Sequence, residues 1–338
     1  MFEKVYEKIK HFIKEEYKFI IFLVCFYIIC MWPMNYYIIT GGGISDIDER
    51  IQVTNSYEGK GSFNISYVSE LKGTLASYLL SYVMPDWKRV NMNDYKYEEE
   101  EDYEDIEFRS DLDLKSANGN AIYYAYTLAG KELELLDTNI FVIALFEEFQ
   151  NPLEIGDEIL SINGQKFITM SEYQKYLQTI DKTLVPVVVK RDGKEKTIEC
   201  KLYEDDGRKV LGIALQSASR YKTKPKVDIK FKKSESGPSA GLITTLDIYN
   251  KLTKKDITHA KKIAGTGTIE ADGSIGEIGE IKYKLLGAVK EDADIFLAPA
   301  GSNYETCKKV VKEKKLDIKV IEVHTIEEAI EKLDKLGN

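Results

Sequence analysis

The spacing of hydrophobic and polar residues changes several times along the chain, and each pattern predicts its own kind of element. Residues 61–68 alternate apolar and polar side chains, as strands with one exposed face do. Residues 113–129 place apolar side chains at helical spacing. In the last part of the chain strands and helices alternate, an order typical of an α/β domain. The elements predicted there are a strand at 263–269, a helix from 282, a strand at 295–298, a helix at 304–314, a strand at 318–323 and a helix at 326–336.

One run without charged residues, 19–39, is long enough to form a helix that crosses a bilayer. Aromatic side chains gather towards its end, and five lysines precede it within residues 1–18. Because basic residues favour the cytoplasmic side, this pattern predicts a cytoplasmic N-terminus at 1–18 and an uncleaved transmembrane signal anchor at 19–39. Everything after about residue 41 is then expected outside the cell, as in a single-pass protein of the cell membrane.

Charge and composition narrow the class of protein. The 338 residues are 43% hydrophobic and 30% charged, as in folded globular proteins, and carry a net charge of −9. Such a chain lacks the basic face that nucleic-acid binding needs, so no nucleic acid is expected as a partner. The four cysteines show no metal-ligand spacing, so no metal is expected. Free thiols are favoured, with a Cys200–Cys307 disulfide as the alternative.

Residues 44–130 carry no recognisable chemistry and are expected to form a β-rich or α+β accessory region. They include an acidic segment, 94–107, which has nine acidic side chains and one lysine. A run of this kind is usually a solvated loop, and a site for a cation or a basic peptide is the alternative.

Residues 131–204 show a different order of elements. An apolar strand at 139–144 is followed by the sequence Gly-Asp-Glu-Ile-Leu-Ser-Ile-Asn-Gly at 156–164, then by a predicted helix and a hairpin. This order, and the 156–164 sequence above all, resembles a PDZ domain. The resemblance implies that an extended polypeptide adds as a strand to an open sheet edge. A Gly-Leu-Gly-Phe-type carboxylate loop is not evident, and a domain that only braces its neighbour is the alternative.

The best candidate for chemistry is Ser239, within the sequence Glu-Ser-Gly-Pro-Ser-Ala-Gly at 235–241. Small residues flank it where a loop is expected to become a helix, so its hydroxyl is predicted to be sterically open. The first N–H groups of a helix lack intrahelical partners and carry positive charge, so they can hold an oxyanion. A nucleophilic serine also needs a base, for which Lys282 and Lys284 are the candidates. The three histidines fit no ordered serine, aspartate and histidine set, so a histidine triad is not favoured.

Together these segments resemble the proteolytic domain of Lon-type proteases. That family's motif is a Gly-Pro-Ser-Ala-Gly serine, followed a little over forty residues later by a lysine that opens a Lys-Leu-Leu-x-Ala helix. The matching residues here are Ser239 and Lys284. The resemblance implies a catalytic Ser–Lys dyad, in which desolvation lowers the pKa of Lys284 from its usual ~10.4 so that its amine can take the serine proton. It also implies supporting roles for Thr266, which orients the amine, and for Gly237, Pro238 and Ala240.

The same comparison distinguishes the two lysines. Residues two apart on a helix point in different directions, so only one of Lys282 and Lys284 is expected to face the site. Lys284 is the one that matches the motif. Two positions depart from the family: Ser236 stands where Lon proteases commonly carry aspartate, and Glu280 where they often have a second glycine.

With the upstream region, the resemblance widens to membrane-anchored PDZ–Lon proteases of the YlbL type. It implies a multidomain protein with one N-terminal transmembrane helix, the accessory region, a PDZ domain and a C-terminal α/β (α+β) Lon-type proteolytic domain at 205–338. The implied function is an ATP-independent serine endopeptidase without a cofactor. Its substrates would be secreted or membrane-tethered polypeptides, cleaved at the outer face of the membrane. The sequence has no Gly-x-x-x-x-Gly-Lys-Ser/Thr loop, so no nucleotide is expected.

The expected partners are therefore a polypeptide substrate and, through the single span, the membrane. Lon-type domains often form rings, which leaves a homo-oligomer open. The alternative to an enzyme is a membrane-tethered PDZ scaffold that binds peptides on a catalytically silent Lon-type fold.

Overall fold

A computed structural model describes residues 2–84, 87–167 and 169–337. Eight α-helices and fifteen β-strands lie within these residues. The helices are α1 (Phe2–Cys30), α2 (Leu75–Leu80), α3 (Tyr103–Leu128), α4 (Met170–Thr179), α5 (Gly241–Leu252), α6 (Ile281–Lys290), α7 (Ser302–Lys314) and α8 (Ile326–Asp334). The strands are β1 (Pro33–Asp46), β2 (Ile51–Val53), β3 (Ser62–Thr74), β4 (Lys88–Asn91), β5 (Glu132–Leu145), β6 (Glu158–Ile162), β7 (Leu184–Arg191), β8 (Lys194–Lys201), β9 (Tyr203–Asp205), β10 (Arg208–Val210), β11 (Ile213–Lys224), β12 (Val227–Ile229), β13 (Lys262–Gly265), β14 (Ile295–Pro299) and β15 (Lys319–Val323).

The chain divides into two compact units, residues 1–41 with 68–95 and residues 42–67 with 96–338. In the first unit, β1 pairs antiparallel with β4, from Tyr36 opposite Asn91 to Ile39 opposite Lys88. A capping box at Thr74 starts α2. The candidate site lies in the second unit.

The prediction of a transmembrane helix at 19–39 is wrong, because two kinds of element divide that apolar run. α1 ends at Cys30, and β1 begins at Pro33. The helical part of the run, 19–30, is shorter than the ~20 residues that a crossing helix needs, and charged side chains precede it in α1. Among the described residues, no helix is both long and apolar enough to cross a membrane. The predicted location in the cell membrane depended on that helix and is wrong as well.

A parallel sheet forms the centre of the second unit. β15, β14, β13 and β3 lie side by side in that order. Residues 62–65 of β3 pair with residues 262–265 of β13, although about two hundred residues separate them along the chain. β2 and β12, which are also far apart along the chain, pair antiparallel with each other. Segments from within 44–130 therefore complete the sheets of the C-terminal part, where the predicted alternation of strands and helices is present with ends shifted by a few residues.

The main core is built from the same distant segments. α3 packs along α5, and side chains from 47–65 join those of the C-terminal part. Its fully buried members include Ile47, Tyr126, Leu242, Leu246 and Ile263. Because burial of each such side chain stabilises the fold by roughly 1.5–3 kcal/mol, the early segments are integral to this core.

A second sheet, in the order β11-β5-β6-β7-β8, forms with α4 what we call the inserted unit, residues 132–224. Its own core includes Val142, Ile162 and Val187, each fully buried. The 156–164 sequence contributes Asp157, which is 1% exposed and receives 2.7 Å hydrogen bonds from the Arg191 guanidinium. The domain limits 44–130, 131–204 and 205–338 stay predictions.

The acidic segment is a helix start as well as a loop. Asp102 caps α3 by accepting hydrogen bonds from the N–H groups of Glu104 and Asp105, which form the first turn. Carboxylates are favourable there because the N-terminus of a helix is positive. Next to the cap, buried Glu101 pairs with Arg109 at 2.7 Å. Elsewhere Cys200 and Cys307 are buried free thiols, which confirms the favoured expectation.

Candidate active site

Ser239 lies in the turn that leads into α5, and its side chain is only partly buried. Gly237 has φ +83°, a conformation that glycine adopts at little cost, and its N–H donates to the carbonyl of Ser110 in α3 at 2.9 Å. The carbonyl of Pro238 accepts from the Gly241 N–H at 3.1 Å. These contacts hold the turn on both sides of the serine.

Backbone donors gather where the turn becomes a helix. Ala240 is buried and stands at the cap position of α5. Within the described part of the chain, the N–H groups of Ser239 and Ala240 have no hydrogen-bond acceptor. Unpaired N–H groups beside the positive end of a helix are suited to bind an oxyanion.

Lys284 lies in the first turn of α6 and is 6% exposed. Burial lowers the pKa of its amine from 10.5 to about 8, while the charge of the Glu280 carboxylate acts in the opposite direction. Lys282 is exposed, and its ammonium lies 5.7 Å from the centre of the Tyr283 ring. Lys284 is therefore in surroundings that favour a neutral amine at moderate pH.

Thr266 connects the serine segment with the lysine. Its side chain is fully buried, and its hydroxyl accepts a hydrogen bond from Lys284 Nζ at 3.3 Å while donating to the Ser239 carbonyl at 3.0 Å. The next residue, Gly267, donates its N–H to the same carbonyl at 2.9 Å. Among the described residues, no hydrogen bond joins the Ser239 hydroxyl directly to the Lys284 amine. Hydrogen bonds through Thr266 thus connect Ser239 and Lys284, which lie in separate segments of the chain.

Sequence reasoning missed Arg50, which fixes the loop before Ser239. Its guanidinium is 4% exposed and donates to Glu235, including a bond from Nε to Oε1 at 3.1 Å. The Arg50 carbonyl also accepts from the Lys230 N–H at 2.8 Å. No local pattern around Arg50 indicates this role, because its partner lies 185 residues away.

Glu277 and Asn303 fix the loop before Lys284, and they too were missed. The Glu277 carboxylate accepts from the N–H of Ser302 and, at 3.2 Å, from that of Asn303, so it holds the start of α7. Asn303 in turn bonds both backbone groups of Ile278, at 2.8 and 3.1 Å. The loop between Ile275 and α6 is thereby tied to a second helix.

Glu280 is one of the two departures from the family motif, and its backbone conformation is one that favours glycine. It has φ +61° immediately before α6, in the left-handed region that favours glycine. Replacing it with glycine, Glu280→Gly, should raise the free energy of unfolding by about 1 kcal/mol, since the strain disappears. The pKa of Lys284 should also fall, because the nearby carboxylate is removed.

Chemical denaturation and the pH profile of any cleavage measure the two effects separately. The matched control is Glu280→Gln, which removes the charge but keeps the left-handed residue. A gain in stability with glutamine as large as that with glycine would contradict the conformational explanation.

A groove of about 500 Å³ lies elsewhere in the same unit, between β11, α3 and the segment after Thr266. Its lining residues include Asn120 and Tyr123 of α3, Leu215 and Ser217 of β11, and Glu270. No group of three or more histidine, cysteine, aspartate or glutamate side chains in the described ranges could hold a metal ion.

The part of the chain that contains Ser239, Thr266 and Lys284 is similar to a known protein family. Residues 228–335 match the Lon protease (S16) C-terminal proteolytic domain. A Lon protease of Neorickettsia sennetsu is 36% identical over 97 residues, covering 29% of this chain and 11% of that protein. A Lon protease of Campylobacter concisus is 33% identical over 96 residues, covering 28% of this chain and 12% of that protein. The match spans about one tenth of the length of these relatives.

Two solved PDZ domains of SdrC-like proteins are structural neighbours. The domain from Listeria monocytogenes is 25% identical and covers 22% of this chain and 85% of its own, with a TM-score of 0.21. The domain from Listeria innocua is 25% identical and covers 23% and 92%, also with a TM-score of 0.21. Residues 228–335 are thus similar to the proteolytic domain of Lon proteases, and this similarity is confined to about a third of the chain.

Proposed function

We propose that this chain is a serine endopeptidase in which Ser239 is the nucleophile and Lys284 the general base. The observation that carries the proposal is the bridge made by Thr266, which accepts from Lys284 Nζ at 3.3 Å and donates to the Ser239 carbonyl at 3.0 Å. It keeps a buried amine next to the serine segment. A neutral amine that donates one N–H to Thr266 retains a lone pair for the serine proton.

The reaction then proceeds through an acyl-enzyme. The Lys284 amine takes the proton of Ser239 Oγ as that oxygen attacks the scissile carbonyl carbon. The unpaired N–H groups of Ser239 and Ala240 stabilise the oxyanion of the tetrahedral intermediate. The Lys284 ammonium next protonates the leaving amine, and water hydrolyses the ester, again with Lys284 as the base.

Cleavage is proposed to be independent of ATP. The 338 residues contain no Gly-x-x-x-x-Gly-Lys-Ser/Thr loop, and Lys284 and Ser239 need no nucleotide for the steps above. Without mechanical unfolding, suitable substrates are short, exposed or already unfolded polypeptides. Assembly into a homo-oligomer stays a prediction.

The inserted unit is proposed to receive the polypeptide. β11 is the outermost strand of its sheet, so alternate N–H and C=O groups of that strand face away from β5. The groove beside β11 offers these groups to an extended chain, which can pair with them as an added strand. This supports a role in presenting substrate to the peptidase.

The test is a proteolysis assay on the full chain without ATP, with an unfolded protein and a library of extended peptides as substrates. Cleavage by the unsubstituted chain and its loss in Ser239→Ala, with circular dichroism unchanged, is the expected result. Undiminished cleavage by Ser239→Ala would show that another residue is the nucleophile.

The pH profile tests the lysine independently. Since only the neutral amine acts as a base, and the pKa of Lys284 is about 8, activity should rise as pH increases. Between pH 7 and pH 9 the neutral fraction, and with it kcat/KM, should increase roughly tenfold and then level off. A rise that continues past pH 10 would instead indicate a base with the pKa of an ordinary exposed lysine.

The second candidate is a peptide-binding scaffold with a silent peptidase fold. Its one supporting observation is that no hydrogen bond joins Ser239 Oγ to Lys284 Nζ in the described part of the chain. Peptide binding without cleavage at any pH from 6 to 10 would favour it.

A further inference from the structure

The groove beside β11 has walls from four parts of the chain, and one of them leads to the candidate active site. α3 closes one side where Gly119 crosses β11, since a Cβ there would lie 2.6 Å from the Ser219 carbonyl oxygen. β11 contributes Leu215, Ser217 and Tyr221. The remaining lining is Met170 of α4 together with Glu270 and Ala271, which follow Thr266 within one short segment.

That segment is held in place along its length. Thr268 donates its N–H to the Gly276 carbonyl at 3.3 Å, and the Ile269 carbonyl accepts from Asn120 Nδ2 at 2.8 Å. Four residues of chain span at most about 14 Å, so Glu270 lies within that distance of Thr266. A polypeptide in the groove is therefore within a few residues of Ser239.

Glu270 is the one charged side chain in the described lining of the groove. Glu270 is exposed, its Oε1 accepts from the Thr268 hydroxyl at 2.6 Å, and its Oε2 has no partner among the described residues. Asp113 of α3, outside the lining, accepts from Gln216 Nε2 at 2.8 Å. Burial raises the pKa of Asp113, and the charge of Glu270 adds to this. The hydrogen bond from Gln216 and the charge of Arg109 act in the opposite direction. The described lining contains no lysine or arginine.

We propose that Glu270 is a specificity residue, which selects polypeptides that carry a lysine or arginine in the segment paired with β11. The cation lies at the Glu270 carboxylate while the backbone of the polypeptide pairs with the open edge of β11. The selection of substrate rests on the proposed function, but the binding preference does not require cleavage. If both hold, cuts fall at a fixed distance from the basic residue, within about ten residues given the ~3.3 Å rise of extended chain.

Binding is tested with the full chain carrying Ser239→Ala and with labelled twelve-residue peptides. The peptides come from a library of alternating valine and threonine, in which one position is lysine, glutamine or glutamate. Fluorescence anisotropy should give about fivefold tighter binding for the best lysine peptide than for its glutamine counterpart, as for a partly exposed ion pair. Added Glu270→Gln should remove this preference, and added Glu270→Lys should reverse it in favour of glutamate.

The matched control is Glu147→Lys, which makes the same change of net charge at an exposed residue of the inserted unit that is not a lining residue of the groove. It should leave the lysine preference intact. An unchanged preference in Glu270→Lys, equal loss in Glu147→Lys, or no binding of any peptide would overturn the proposal.

Cleavage by the unsubstituted chain separates the two proposals. A lysine preference in binding without any cleavage would reject the peptidase and retain the specificity residue. Cleavage at positions independent of the lysine, without a lysine preference in binding, would reject Glu270 as a specificity residue and retain the peptidase.

Discussion

Replacing Lys284 with methionine is expected to lower kcat/KM by roughly 10³-fold, because the reaction loses its proposed general base. The same change should stabilise the fold at neutral pH. Lys284 is 6% exposed, and its amine has a pKa of about 8 in place of 10.5. At 1.36 kcal/mol for each pH unit of this difference, burial of the amine costs about 3 kcal/mol at neutral pH, which an apolar side chain of similar size avoids.

The sign of the pH dependence follows from the same difference. Between pH 8 and 10.5 the unfolded chain holds the Lys284 proton and the folded chain does not, so unfolding is less favourable as pH rises. The advantage of Lys284→Met should thus be full below pH 8 and disappear by about pH 10.5. Urea denaturation at pH 6.5 and pH 9.5 measures it. The control is Lys282→Met, at an exposed position, which should change neither quantity; cleavage that survives in Lys284→Met would exclude this lysine as the base.

Gly267→Ala should destabilise the fold by about 3 kcal/mol and also impair cleavage. A Cβ at this position would lie 2.7 Å from Ile275 Cγ2, and the residue has φ +154°. Its N–H donates to the Ser239 carbonyl and its carbonyl accepts from the Leu242 N–H, so any shift moves Ser239 and the start of α5 together.

Chemical denaturation and a cleavage assay below the unfolding transition report the two effects. Gly279→Ala is the matched control, since a Cβ there has nothing within 4 Å. A Gly267→Ala variant as stable as Gly279→Ala would contradict the prediction, because it would mean that the backbone around Gly267 accommodates a Cβ without loss of stability.

The parts of the candidate site that could be predicted were those carried by local sequence. The small residues around Ser239 indicated a turn before a helix, and the spacing to Lys284 matched a motif. Helical geometry separated Lys284 from Lys282, and the structure has the first buried and the second exposed. A local rule sufficed in each case.

The residues that could not be predicted act through distant partners. Arg50 holds the loop before Ser239 across 185 residues, and β3 pairs with β13 across about two hundred. The prediction of a helix over 19–39 is wrong for the same reason. The length and apolar character of this run indicate a helix, but pairing of residues 36–39 with β4 makes its second half a strand. Such pairing is decided by tertiary structure rather than by the composition of the run.

The inserted unit begins and ends at adjacent points, since Glu132 and Lys224 are opposite each other in the β5–β11 pair. Paired strands lie about 5 Å apart, a gap that a turn of two to four residues can bridge. The buried residues of the main core all lie before 132 or after 224. Replacing the inserted unit therefore leaves these side chains in the chain. A different unit grafted between 131 and 225 is therefore expected to leave the proposed catalytic residues in place and to direct the same proposed chemistry to another class of polypeptide.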